Sequence, residues 1–319
     1  MALMSYRVDT SHFYQENKMI DRACISINAI CNLDCPYCHF GKKKNNEKSK
    51  LYNFNTPEVD LFINNLESYI EKNQIKTFKL GIVGSGEPML SFPIIKHLIE
   101  RLATSQFAPN IKCYMITNGT IMEDEHLDFF YTHKDMIDVN FSLDGYESLH
   151  NTNRSDYALV FHNAVRFQEK FGIKPRINAV VTKQSIDNEQ SLLEYFRDNG
   201  FNRVNFSILF GVKNEDLEVS QQDYQQFVHN ASHHGITNRQ SNSTEKKYDC
   251  TKYGKLCGVG RTNIFITKQG VFPCARFMGD SLFKLGNYND SFDLIEQKLS
   301  DIIPVEDGQC FYEFHKIGG

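Results

Sequence analysis

Cys31-Asn32-Leu33-Asp34-Cys35-Pro36-Tyr37-Cys38 is the stretch on which the fold turns. It follows directly on Ala23 to Ala29, a run with strand character, so its three cysteines fall on the loop that leaves a strand. Thiolates are the usual protein ligands of iron-sulfur clusters, and three close ones can hold three irons of a 4Fe-4S cube while the fourth stays open. An open iron can take a substrate or a cofactor. Zinc is the competing occupant, but it ordinarily takes four ligands in short-spaced pairs. His39, the immediate neighbour of Cys38, is badly placed to complete such a set.

Outward from this loop, β-rich runs alternate with helical periodicity. Strands are expected at Ala23 to Ala29, Thr77 to Val83, Ile111 to Thr117, Ile137 to Leu143, Arg176 to Thr182 and Arg203 to Leu209. Between the first two, Val59, Phe62, Ile63, Leu66 and Ile70 recur at helical spacing, with Thr56 as the expected N-cap and Pro57 opening the helix. Further helices are expected at Pro93 to Leu102, Asp124 to Tyr131, Tyr157 to Phe171 and Glu189 to Phe196. Repeated βα units imply an α/β fold with a parallel sheet curved into an open or closed barrel. In such barrels the reacting groups sit on loops at the C-terminal ends of strands. From Val212 to Asp249 the chain turns polar and reads as a helix and then a linker. Beyond it, Asn263 to Thr267 and Val271 to Phe272 read as a hairpin turning at Lys268-Gln269-Gly270.

Composition narrows the function classes. With 41% hydrophobic and 23% charged residues the chain is globular, and no apolar run approaches a membrane span. Met1 to Glu16 lacks a continuous apolar stretch, so no secretory signal is expected and the cytoplasm is the expected compartment. A net charge of -4 gives no basic surface for nucleic acid. Nine cysteines in a reducing compartment point to metal rather than disulfides. Seven fall in two groups, Cys31, Cys35, Cys38 and Cys250, Cys257, Cys274, Cys310, which leaves Cys24 and Cys113 as expected buried small hydrophobes within strands.

The first group resembles the signature of the radical S-adenosylmethionine (SAM) superfamily, including the aromatic Tyr37 before the last cysteine. Gly84-Ser85-Gly86-Glu87-Pro88 resembles the family's GGEP motif, with Ser85 in place of a glycine, and the resemblance assigns it to the SAM amino group. Ser142-Leu143-Asp144-Gly145, with His150 and Arg154 downstream, is similar to the stretch that supplies a serine and an arginine to SAM. Arg154 suits a carboxylate, because guanidinium grips both oxygens. Asn118-Gly119 also matches the family pattern, but this dipeptide is common in turns and carries little weight. Together these features span about residues 23 to 211. They imply a partial (β/α) TIM-like barrel that cleaves SAM to a 5'-deoxyadenosyl radical, fed by an electron donor such as flavodoxin or ferredoxin.

The second group resembles the start of a SPASM or Twitch auxiliary domain, with Cys250, Cys257 and Cys274 as ligands of a second 4Fe-4S cluster and Cys310 as the fourth. Cys310 is also the one cysteine loose enough in assignment to donate a hydrogen atom instead. Zinc is the alternative for this group. The resulting organisation is an N-terminal extension (1-22), a core barrel (23-211), a helix and linker (212-249) and a small C-terminal auxiliary-cluster domain (250-319). Pro273 to Asp280 with Phe283 to Asn287 is similar to maturases of ribosomally made peptides, and Ala275 stands where sulfatase maturases carry an acid. A peptide substrate is therefore expected, recognised with or without a separate leader-binding protein. Sulfatase maturation, aminocyclitol oxidation and a non-catalytic iron-sulfur or zinc protein are the competing readings. The Lys42, Lys43, Lys44, Lys48, Lys50 run is read as a solvated loop.

Overall fold

The computed structural model describes residues 19–40, 51–209, 215–237, 257–302 and 309–316. Cys250, the Lys42 to Lys50 run and most of the expected linker lie outside these residues.

Six βα steps run in order: β1 (Arg22–Ile25), α1 (Thr56–Asn73), β2 (Phe78–Ile82), α2 (Phe92–Ala103), β3 (Ile111–Thr117), α3 (Asp124–Thr132) and β4 (Ile137–Ser142). They continue through α4 (Glu147–Asn153), α5 (Tyr157–Phe171), β5 (Arg176–Val181), α6 (Lys183–Asp187), α7 (Glu189–Asp198), β6 (Val204–Ile208) and α8 (Gln221–His233). β7 (Asn263–Thr267) and β8 (Gly270–Phe272) form the expected hairpin, followed by α9 (Phe292–Asp301) and α10 (Phe311–Lys316). α1 starts one residue earlier than expected. Asn55, not Thr56, is its N-cap, because the Asn55 side chain accepts from Glu58 N while Glu58 accepts from Asn55 N at 3.0 Å each.

Among the described residues the sheet has eight strands in the order β6-β5-β4-β3-β2-β1-β7-β8. All neighbours are parallel except the β7/β8 hairpin. This is the partial TIM-like barrel. β7 of the hairpin adds to the barrel's edge, pairing with β1 from Arg22↔Asn263 to Ile25↔Ile266.

Strand alternation builds two environments. Ala23, Ile25, Leu80, Ile82, Met115, Val139 and Phe206 face outward and are buried beneath the helices. Arg22, Cys24, Lys79, Tyr114, Asn140 and Asn178 take the other parity and line an interior cavity of about 570 Å³. The barrel is thus hollow, with charged and polar side chains set among apolar ones on its inner wall, where filled barrels pack branched apolar layers. The C-terminal segment is fastened to the barrel wall. Phe292 of α9 lies 6.1, 5.3 and 6.0 Å from the rings of Phe62, Tyr69 and Phe78, and Lys72 Nζ meets Asp293 at 2.9 Å. Among the described residues, no helix is long and apolar enough to cross a membrane.

Candidate active site between two groups of cysteines

The loop after β1 brings Cys31, Cys35 and Cys38 to one wall of the cavity. It is held by polar ties to the ends of other strands. Asn32 donates to Thr120 Oγ1 at 2.8 Å and accepts from Asn118 Nδ2 at 2.8 Å. Asn118, given little weight on sequence grounds, therefore anchors the loop. Tyr37 Oη donates to Asp144 Oδ2 at 2.5 Å. Arg154 Nε donates to the same oxygen at 3.0 Å, its guanidinium lies 5.3 Å from the Tyr37 ring centre, and Nη1 is 4.0 Å from Cys35 Sγ.

Burial raises the Cys31 thiol and pushes Cys35 up to about 11, with Arg154 opposing both shifts. A bound iron would deprotonate these thiols. The donor set fits an iron-sulfur cluster: three thiols on one loop face a shared cavity, with a buried cation beside Cys35 to balance thiolate charge. Among the described residues, no three His, Cys, Asp or Glu side chains are arranged to hold a single metal ion.

The turn after β2 docks against the same loop by close backbone approach. A Cβ on Gly84 would stand 2.1 Å from Ser26 Cβ, and one on Gly86 would stand 1.9 Å from Asn28 Oδ1 and 2.3 Å from Ile30 O. Only glycine fits at either position. Ser85 is buried; its N donates to Ser26 Oγ at 2.9 Å, its hydroxyl donates to Asn28 O at 3.4 Å, and the Ser85 and Ser26 hydroxyls lie 3.2 Å apart. Glu87 is buried and accepts from Thr117 Oγ1 at 2.6 Å, Asn118 N at 2.7 Å and Met89 N at 3.0 Å. Burial raises its pKa against these three donors. Two carboxylate oxygens offer about four acceptor sites, so one remains for a ligand group.

The turn after β4 carries the rest. Asp144 Oδ1 accepts from Val180 N at 3.0 Å, while Asp144 N donates to His150 Nδ1 at 3.2 Å. His150 Nε2 lies 3.0 Å from Ser155 O, so the ring is neutral with its proton on Nε2. His150 is therefore a buried brace for this turn. Gly84, Ser85, Gly86, Glu87, Ser142 and Arg154 all line the cavity, so the structure assembles every residue that sequence reasoning offered to SAM.

The same cavity is also lined by Cys257, Cys274 and Cys310. Burial pushes Cys274 up to about 11; Arg276 opposes this, and Cys310 and Cys24 add to it. Cys24 is the correction. It was expected to be a buried hydrophobe, yet it takes the polar parity of β1 with Arg22, lines the cavity and lies 3.3 Å from Tyr114 Oη. Cys113, with the parity of Ile111 and Met115, is buried in the outer core as expected. That parity was readable in the sequence: Arg22, Cys24 and Ser26 alternate with Ala23, Ile25 and Ile27.

The family described as the radical SAM superfamily matches residues 25–224. A cysteine-type anaerobic sulfatase-maturating enzyme of Clostridium perfringens (strain 13 / Type A) is 26% identical over 289 residues, covering 82% of this chain and 75% of that protein. Among solved structures, native anSMEcpe with bound AdoMet and Cp18Cys peptide superposes with a TM-score of 0.69 at 19% identity, covering 92% of this chain and 86% of that one. Streptococcus suis SuiB bound to precursor peptide SuiA gives 0.66 at 17% identity, covering 88% and 65%.

Proposed function

The chain belongs to the radical SAM superfamily, and on that premise we propose that it modifies a residue of a ribosomally made peptide by hydrogen-atom abstraction. Membership implies a 4Fe-4S cluster and SAM. In this reading Cys31, Cys35 and Cys38 ligate the cluster, Glu87 takes the SAM amino group, and Arg154 with Ser142 takes its carboxylate. When bound, the pair supplies a 5'-deoxyadenosyl radical from one electron, delivered by a donor such as flavodoxin or ferredoxin. The protein's part is to fix the cluster loop by its polar ties, to hold SAM against it and to present a substrate carbon. Cys257, Cys274 and Cys310, with Cys250, would hold an auxiliary 4Fe-4S cluster.

The observation that carries the reading is the single cavity shared by both cysteine groups, with Ala275 lining it directly after Cys274. Position 275 carries no acid to accept a proton, which a sulfatase maturase would use there. Structures similar in fold hold peptides. Sulfatase maturation is the second reading, favoured by the names of the curated relatives. The test is anaerobic turnover with SAM and dithionite against two peptides: a short one encoded beside the gene, and a sulfatase peptide bearing cysteine. A mass change in the first alone, or its gain of one solvent-derived deuterium when the reaction is run in deuterated water, supports the proposal. A change in the sulfatase peptide alone overturns it in favour of the second reading.

A further inference from the structure

Cys24 of β1, Gly81 of β2 and Tyr114 of β3 occupy one row across three adjacent parallel strands, Cys24 opposite Gly81 and Gly81 opposite Tyr114. A side chain at position 81 would project into the barrel between the other two. Glycine leaves that place to the Tyr114 ring, which lies so close over the backbone that an added Cβ would stand 2.5 Å from Cζ. The phenol thereby spans a whole strand and reaches Cys24, with Oη 3.3 Å from Sγ. Both side chains line the cavity. The row lies two residues deeper than Ser26, whose hydroxyl anchors Ser85, or about 7 Å along the strand.

Resting on the hydrogen-abstraction reading above, we propose that Cys24, positioned by Tyr114, is the hydrogen-atom donor that quenches a carbon radical in this cavity. A thiol suits the task because its S–H bond is weaker than an ordinary C–H bond, so transfer to carbon runs downhill; a hydroxyl cannot do this. The substrate C–H hydrogen goes to the 5'-deoxyadenosyl radical, giving 5'-deoxyadenosine and a carbon radical. The Cys24 S–H bond then breaks, its hydrogen forms the new C–H bond, and a thiyl radical remains. One electron from the low-potential donor and one proton from solvent would restore the thiol. Each cycle consumes one SAM and two electrons, and the substrate returns with its composition unchanged, as in inversion at carbon. Tyr114 is a positioning residue here: its hydroxyl fixes the thiol toward the cavity, and Gly81 makes that reach possible.

The test needs no peptide, because without one the only carbon radical in the cavity is 5'-deoxyadenosyl itself. The reconstituted full chain is given SAM and dithionite in deuterated and ordinary water, and the 5'-deoxyadenosine is weighed. Wild type is expected to gain one mass unit in deuterated water. Cys24→Ser is expected to lose that gain while still releasing methionine and retaining its iron. Tyr114→Phe is expected to lower the deuterated fraction, with iron content and methionine release unchanged; a purely structural role would not move the isotope ratio alone. Unchanged deuterium in Cys24→Ser overturns the proposal, as does loss of iron in that variant, which would make Cys24 a cluster ligand. Absence of 5'-deoxyadenosine from wild type would instead sink the underlying radical reading.

Discussion

Arg154 serves two masters, and its replacement separates them. Its Nε is committed to Asp144, whose side chain is fully buried and also takes Tyr37 Oη and Val180 N. Arg154→Ala therefore removes the partner proposed for the SAM carboxylate and also strands a buried charge. Losing one partner of a buried pair typically costs about 3–5 kcal/mol, so urea unfolding should shift alongside the loss of SAM affinity. Asp144→Asn should cost stability yet leave SAM a cationic partner; equal loss of SAM binding in both variants would mean that Arg154 only braces the loop. His150 gives the pH dependence. Burial holds its pKa below the ordinary value, with Asp144 opposing the shift. Its stabilising contribution is full above the unfolded value of about 6.5 and is lost as pH falls through the folded value. Thermal unfolding between pH 7.5 and 5.5 should show stability falling with pH, and His150→Gln should flatten that slope. At this scale the sequence was read well where chemistry is local. The spacing of Cys31, Cys35 and Cys38 and the order of Glu87, Ser142 and Arg154 pointed to residues that the fold brings into one cavity. Cys24 and Tyr114 were missed because their meeting depends on a glycine in the strand between them.

The turn between β2 and the 3₁₀ turn at Pro88–Ser91 is the element most constrained by contact. Glu87 N donates to Ile30 O at 2.7 Å, and Asn28 Nδ2 donates to Glu87 O at 2.8 Å, so this turn and the cysteine loop form one unit. Gly86→Ala would push its methyl into Asn28 Oδ1 and Ile30 O. Both are tightly held, so the turn should lift away, and SAM binding measured by equilibrium dialysis should be lost together with iron retention. Ser85→Gly is the contrasting change. It removes hydroxyl contacts to Ser26 at a cost of about 1 kcal/mol for a hydrogen bond, and SAM binding should persist. Strands β1 to β6 were legible because alternation and βα order are properties of short windows, and their ends fell within a few residues of expectation. α4, α6, α9 and α10 were not anticipated; at 7, 5 and 6 residues α4, α6 and α10 are too short to show a helical period, whereas α9 spaces Phe292, Ile295 and Leu299 along one face and was overlooked. The pairing of β7 with β1 joins residues far apart in the chain, and no local pattern announces it.

Taken whole, the molecule places its second cysteine group by means of its first barrel strand. β7 extends the sheet beside β1, the β7/β8 turn lays Lys268 Nζ 3.0 Å from Glu58 of α1, and α9 seats Phe292 on α1 and β2. Tyr69 Oη contacts Glu296 and receives Ile20 N at 2.9 Å, so the same patch also holds the entry into β1. If both groups bind clusters, reconstituted wild type should carry about eight irons per chain, and Ala at Cys31, Cys35 and Cys38 should leave about four and no SAM cleavage. The seating of α9 then makes a sharper prediction. Phe292 is 2% exposed and meets three aromatic rings, so Phe292→Ala should cost about 3–5 kcal/mol as a buried Phe truncation. That loss falls on the docking of residues 257–302 and leaves the cysteine loop's own ties to Thr120, Asn118 and Asp144 untouched. Iron should therefore fall toward about four per chain, while 5'-deoxyadenosine formation from SAM alone continues and peptide modification stops. Equal loss of both clusters would show that the barrel and the C-terminal segment unfold as a single cooperative unit. Full iron with full activity would show that β7 alone is sufficient to hold the second group in place.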